Sequence, residues 1–139
     1  MKVFLDTNIV MDVLGCRMPF FHKSQFLLHL CEIGAHSGFA ATMSFATVAY
    51  LLGKIMDKDL IPLQLIKLRS IVTPVDVTAA ILDQALCSRF ADFEDAMQYF
   101  CARACGADYL VTRNPQDFAP AEMAVVTPAE FLGICNVEM

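Results

Sequence analysis

Apolar positions along this chain follow two rhythms. Short, nearly continuous apolar runs at Lys2–Leu5, Phe39–Met43, Ile71–Val75, Asp108–Thr112 and Ala124–Val126 each predict a buried strand. Between them the apolar residues recur at helical spacing. Ile9, Val10, Val13 and Leu14 predict a helix directly after Asp6, and Gly15 to Pro19 reads as a loop. Further helices are predicted over about 20–35, ended by Gly34 or Gly38, and over about 44–56, with Val48, Leu51, Leu52 and Ile55 facing inward. Asp57 to Asp59 is a polar break, and Pro62 suits the first turn of a helix reaching about Arg69. Two more cover about 78–88 and about 93–105, the second stopped by Gly106, and Thr127-Pro128 opens a short last one.

Strands of four or five residues alternating with helices predict an α/β fold of three layers, a central parallel sheet of about five strands covered on both faces. No repeat, low-complexity tract or linker divides the chain, so residues 1–139 read as a single domain. In such sheets ligands bind beyond the carboxyl ends of the strands. That rule directs attention to Asp6, after the first strand, and to Arg113–Asp117, after the fourth.

Composition changes the picture in three ways. Hydrophobic residues make up 57% of the chain, which excludes disorder and predicts apolar surface covered by a partner or a second copy. The formal charge of −5 lacks the basic excess usual for nucleic-acid binding, so any positive surface must be assembled by folding or supplied by a partner. Six cysteines without a C-x-x-C pair, behind no signal sequence, predict a reduced, cytoplasmic protein. Thr42, Ser44 and Thr47 break the longest apolar stretch, so no membrane span is expected.

The candidate chemistry is carboxylate chemistry. Asp6 can cap the helix that follows it or bind a cation. Asp92 and Asp95, three apart at a helix start, are neighbours that either complement the helix dipole or ligate a hard cation. They are expected to lie beside a core stripe of Phe93, Met97, Phe100, Cys101 and Ala104. Asp117 can end a turn or join the same site. Arg113 can hold a phosphate or pair with a neighbouring acid. Thr42, Ser44 and Thr47 can cap a helix or bond to water on a metal. Two carboxylates 4 Å apart repel by about 4 kcal/mol at an effective dielectric of 20, so a site collecting several needs a cation or protons. All-oxygen donors suit Mg²⁺ or Mn²⁺ over zinc. His22, His29 and His36 recur every seven residues, roughly 10 Å apart along a helix, too far to share one ion. The G-x-x-x-x-G-K, G-x-S-x-G and H-E-x-x-H motifs are absent.

Three segments, VFLDTNIVMDVL, DFEDAMQYFCARACGADYLVTRNPQDF and VVTPAEFL, together with Ser44 and Thr47 in an S-x-x-T spacing, resemble the PIN domain typical of VapC-like toxins. The resemblance spans nearly the whole chain. It implies a parallel sheet, a Mg²⁺- or Mn²⁺-dependent ribonuclease acting on RNA, a homodimer and, for toxin members, a small antitoxin partner. Carried over by position, Asp6 is the first metal-site acid with Asn8 its companion, and Asp95 is the third. The fourth position falls on Asn114, with Asp117 three residues later as the nearby carboxylate. The second falls on Thr47, which is not acidic, and Asp92 is the residue placed to supply that charge. Asp6, Asp95 and Asp117 are thus the expected catalytic and metal-binding residues, Asn8, Thr47 and Asn114 the supporting polar groups, and Arg113 the phosphate contact. The two departures motivate an alternative, a PIN fold without catalysis that binds RNA or protein. A phosphatase using Asp6 as nucleophile is disfavoured because position 8 of the D-x-D pattern is Asn.

Overall fold

In the computed structural model, which describes residues 1–137, the expected runs form one sheet. Its strands are β1 (Lys2–Leu5), β2 (Ser37–Ala41), β3 (Val72–Val75), β4 (Tyr109–Val111) and β5 (Ala124–Val126). They pair in the spatial order β3-β2-β1-β4-β5, every pairing parallel. Pro74 is tolerated because β3 lies at the edge, where a missing N–H costs least.

Helices fill the two outer layers: α1 (Thr7–Leu14), α2 (Phe21–Glu32), α3 (Thr42–Leu52), α4 (Ile61–Ile71), α5 (Ala79–Leu86), α6 (Phe93–Ala104) and α7 (Pro128–Ile134). Alternation along the strands divides the core. Val3 and Leu5 of β1 join one cluster with Ile9, Leu27, Val48, Leu68 and Phe131, from α1, α2, α3, α4 and α7. Phe4 points the other way and packs with Ile81, Tyr99, Cys101 and Leu110, on the side of α5 and α6. Each buried side chain of this size contributes about 1.5–3 kcal/mol, so the alternation in β1 fixes its register.

The winding of the chain decides where a ligand fits. From β1 the chain moves outward through β2 to β3 with helices on one face. It then returns through α5 and α6 on the other face and enters β4 on the opposite side of β1. The direction therefore reverses between β1 and β4, and loops leaving these two neighbours diverge to opposite faces. This is the crevice where open α/β sheets bind ligands.

Two expectations need correction. The second strand lies two residues earlier than Phe39–Met43, because Ala41 is already the N-cap of α3 and Thr42-Met43 form its first turn. An apolar run cannot by itself separate a strand end from a helix start. The buried face of α6 is Ala96, Gln98, Tyr99, Cys101 and Ala102, whereas Phe93 is 43% exposed and Ala104 is also exposed. Only Cys101 of the expected stripe is fully buried.

Candidate active site

Asp6 stands where β1 gives way to α1, and it serves that junction directly. It is the N-cap of α1, with Oδ1 accepting the Thr7 N–H at 2.7 Å. Its own N–H reaches the Val111 carbonyl at 3.0 Å, continuing the β1–β4 ladder by one rung. Oδ2 accepts the hydroxyl of Thr112 at 2.8 Å. The carboxyl is nearly buried, and burial pushes its pKa up to about 6 despite the opposing pull of the Thr112 and Thr7 hydrogen bonds.

Thr112, fully buried at the end of β4, is the hub of the crevice floor. Besides donating to Asp6 it accepts from Asn8 Nδ2 at 3.3 Å and from the Asn114 N–H at 3.2 Å. Asn8 Oδ1 accepts the Arg113 N–H at 3.4 Å. Asn8 thus braces the α1 entry against the β4 exit with both ends of its amide.

The rotation of α6 carries its first turn to the same place. Asp92 is the N-cap and accepts the Asp95 N–H at 3.0 Å. Asp95 lies on the line of Gln98 and Ala102, at spacings i+3 and i+7, so it points along the helix face that meets the sheet. Half-burial raises its pKa to about 7, helped by the charges of Asp6, Asp92, Asp117 and Glu94 in that order. Asp117, in the 3-10 turn Pro115–Phe118, enters from the loop after β4.

These groups line an open cleft of about 360 Å³ together with Thr7, Met11, Arg17, Thr47 and Leu51. Five carboxylates therefore share it: Asp6, Asp92, Glu94, Asp95 and Asp117. Asn8 and Thr47 reach the lining as expected, although Thr47 donates its hydroxyl back to the Met43 carbonyl at 3.1 Å. Asn114 and Arg113 do not line it. Arg113 spends its guanidinium on Asp12, with Nε to Oδ2 at 2.9 Å and Nη2 to Oδ1 at 2.7 Å, and lies 4.0 Å from the centre of the Phe20 ring. Of the two readings of Arg113 open in the sequence, pairing with an acid is the one seen.

Beneath the cleft lies a buried polar triad. Gln98 Nε2 donates to Thr7 Oγ1 at 2.9 Å and Ser44 Oγ at 3.0 Å, and the two hydroxyls are 2.7 Å apart. The triad locks α1, α3 and α6 together one residue from Asp6 and one turn from Asp95. Ser44, open in the sequence to capping or to bonding water on a metal, is the third residue of α3 and wholly buried.

The donor set is that of a hard divalent cation: oxygen ligands, no thiol or imidazole in the lining, and carboxylates that raise one another's pKa. By donor chemistry Asp6, Asp92, Asp95 and Asp117 suit a hard divalent cation. Among the described residues no three His, Cys, Asp or Glu side chains stand close enough together to hold a metal ion as they are placed. The expected alternatives elsewhere are ordinary packing. His36 lies against Phe131 and Cys135, and all six cysteines are free thiols.

The family model described as the PIN domain matches residues 2–116. The chain belongs to the PIN domain family. Its architecture recurs in solved structures of toxin–antitoxin systems. VapBC2 from Rickettsia felis, bound to a DNA fragment from its promoter, superposes with a TM-score of 0.70 at 18% identity, covering 90% of this chain and 97% of that one. A toxin–antitoxin complex from Klebsiella pneumoniae gives a TM-score of 0.69 at 22% identity, with 91% and 97% covered. Mycobacterium tuberculosis VapC20, a sarcin-ricin loop cleaving toxin, gives 0.61 at 16% identity, with 78% and 86% covered. At these identities the likeness is one of fold. No curated protein matches the sequence. Among the described residues of this PIN domain no helix is long and apolar enough to cross a membrane.

Proposed function

We propose that this PIN domain, a single domain over its 139 residues, is a divalent-metal-dependent ribonuclease of the toxin type. One observation carries the reading. Five carboxylates share the cleft at the sheet's switch point, and two of them, Asp6 and Asp95, are raised to about 6 and about 7. Catalytic sites are where such perturbed groups collect, because binding a cation or a proton repays the crowding.

In this reading Asp6, Asp95 and Asp117 hold Mg²⁺ or Mn²⁺, and Asp92 supplies the charge that Thr47 lacks. The ion supplies Lewis acidity toward a phosphodiester. Thr112 and Asn8 hold the Asp6 carboxylate in place. The Thr7–Ser44–Gln98 triad fixes the helix that carries Asp95. Thr47 lines the cleft, and Asn114 supports the β4 exit through its backbone. The substrate is RNA in the cytoplasm, and the fold's recurrence in toxin–antitoxin structures supports a small antitoxin as regulator. Tyr50, Leu63 and Ile66, each more than 60% exposed on α3 and α4, support a homodimer.

A second reading, a PIN fold that binds without cleaving, is favoured by Thr47 and by the spacing of the acids, no three of which among the described residues stand close enough to hold an ion as they are placed. One experiment separates them. A defined set of RNAs is incubated with Mg²⁺ or Mn²⁺ and either wild type or Asp6→Asn, and Mn²⁺ binding is followed by calorimetry. Cleavage by wild type that is lost in Asp6→Asn is the expected result. Absence of both cleavage and Mn²⁺ binding would establish the second reading.

A further inference from the structure

We infer that Arg17 is the residue that takes hold of a substrate phosphate, an assignment that rests on the ribonuclease reading above. Among the described residues it is the one cation lining the acidic cleft. Its position is built, not incidental. The helix α1 ends in a Schellman arrangement: Cys16 N–H bonds the Val13 carbonyl at 3.2 Å and Arg17 N–H bonds the Asp12 carbonyl at 3.0 Å. The turn requires a left-handed residue between them, and Cys16 takes that role at φ 49, where glycine is the usual choice. The backbone of Arg17 is thereby tied to Asp12.

Its side chain is tied to the same residue. Arg17 Nε donates to Asp12 Oδ1 at 2.9 Å. Asp12 is wholly buried and already receives two hydrogen bonds from Arg113. The carboxylate is therefore neutralised by Arg113, and Arg17 brings a surplus positive charge. The Nη groups of Arg17 carry no hydrogen bond among the described residues, and its side chain is 40% exposed. A guanidinium held by Nε alone presents its Nη edge for two parallel bonds to a phosphate. Arg113 does not line the cleft: its Nε–Nη2 side closes on Asp12 and its face covers Phe20. The division of labour is explicit: Arg113 neutralises and Asp12 positions, leaving Arg17 to bind.

The test is the salt dependence of RNA binding. Wild type, Arg17→Ala and Arg17→Lys are titrated with a fluorescein-labelled unstructured single-stranded RNA in Ca²⁺, followed by anisotropy over a range of KCl, with a gel confirming that the strand stays intact. Each phosphate neutralised adds about 0.7 to the slope of log affinity against log salt for single strands. Arg17→Ala is expected to bind about tenfold more weakly, with the slope smaller by about 0.7. Arg17→Lys keeps the slope and recovers part of the affinity, since it retains the charge but not the fork. If Arg17→Ala has the wild-type slope, whatever its affinity, Arg17 is not the anchor and the ribonuclease reading survives. If wild type binds no RNA, both fall together.

Discussion

Thr112 donates its hydroxyl proton to Asp6 Oδ2 at 2.8 Å, a bond between residues 106 apart in sequence. Both groups are buried, so the bond is the main compensation for taking that carboxylate oxygen out of water. Thr112→Val keeps the shape and removes the donor. It is expected to cost about 1–3 kcal/mol in urea denaturation at pH 8, whereas Thr112→Ser retains most of the stability. Equal stability of Thr112→Val and wild type would remove the hydroxyl from the account of the site.

The pH dependence of the metal-free protein follows from the two raised carboxyls. Asp6 and Asp95 move from 3.8 to about 6 and about 7 on folding, so the folded state holds protons that the unfolded chain releases. Their favourable contribution is complete below the unfolded value and is lost as pH rises through the folded values. Stability in EDTA is therefore expected to fall between about pH 4 and pH 7, from the unfolded value up to the folded ones. For Asp6 the loss is about 3 kcal/mol. Asp6→Asn should flatten the profile and be the more stable protein at pH 8. A thermal denaturation series that shows the same pH slope in both would contradict this. Mn²⁺ added at pH 8 should restore stability to wild type and not to Asp6→Asn.

Thr47 lines the cleft with its hydroxyl turned back to Met43. Thr47→Glu would put a sixth carboxylate among the five. More ligand charge tightens cation binding, so calorimetry should show Mn²⁺ affinity rising about tenfold. The same variant should be less stable than wild type in EDTA at pH 8, because the added charge repels its neighbours. Unchanged affinity would mean that position 47 does not face the ion.

The Gln98 amide offers a sharper case. Its nitrogen serves Thr7 and Ser44, but its buried oxygen has no partner among the described residues. Gln98→Met removes two good bonds and one unsatisfied acceptor together, so stability should change by less than about 1 kcal/mol. Thr7→Val leaves the Gln98 nitrogen and the Ser44 hydroxyl each short of a partner, and should cost about 1–3 kcal/mol. Chemical denaturation of the two variants in parallel decides the order.

The strands and the location of the site were legible because each rests on a local signal. Leu5-Asp6 changes abruptly from core to carboxylate, and Asp92 and Asp95 stand three apart at a helix start. Both Asp6 and Asp92 prove to be caps as well as cleft residues, so capping does not remove a carboxylate from the cleft. What stayed hidden depends on contacts between distant segments. Asp12 carries no local signal of its burial, which comes with the pairing of Arg17 and Arg113 to its carboxylate. Gln98 reads as a surface residue by type, and only its hydroxyl partners on α1 and α3 explain its burial. Large apolar residues do not mark the buried stripe of α6. The helix instead approaches the sheet through Ala96 and Ala102.

The reversal of winding between β1 and β4 has a consequence for the order in which the protein is made. Asp6 emerges from the ribosome more than 80 residues ahead of its neighbours in the cleft, Asp92 to Asp95 and Asp117. At about 5–20 residues per second the first carboxylate waits several seconds for the rest. A nascent chain ending before Asp92 holds one acid of the five. The cleft is therefore assembled only after β4 has been made and slides in beside β1.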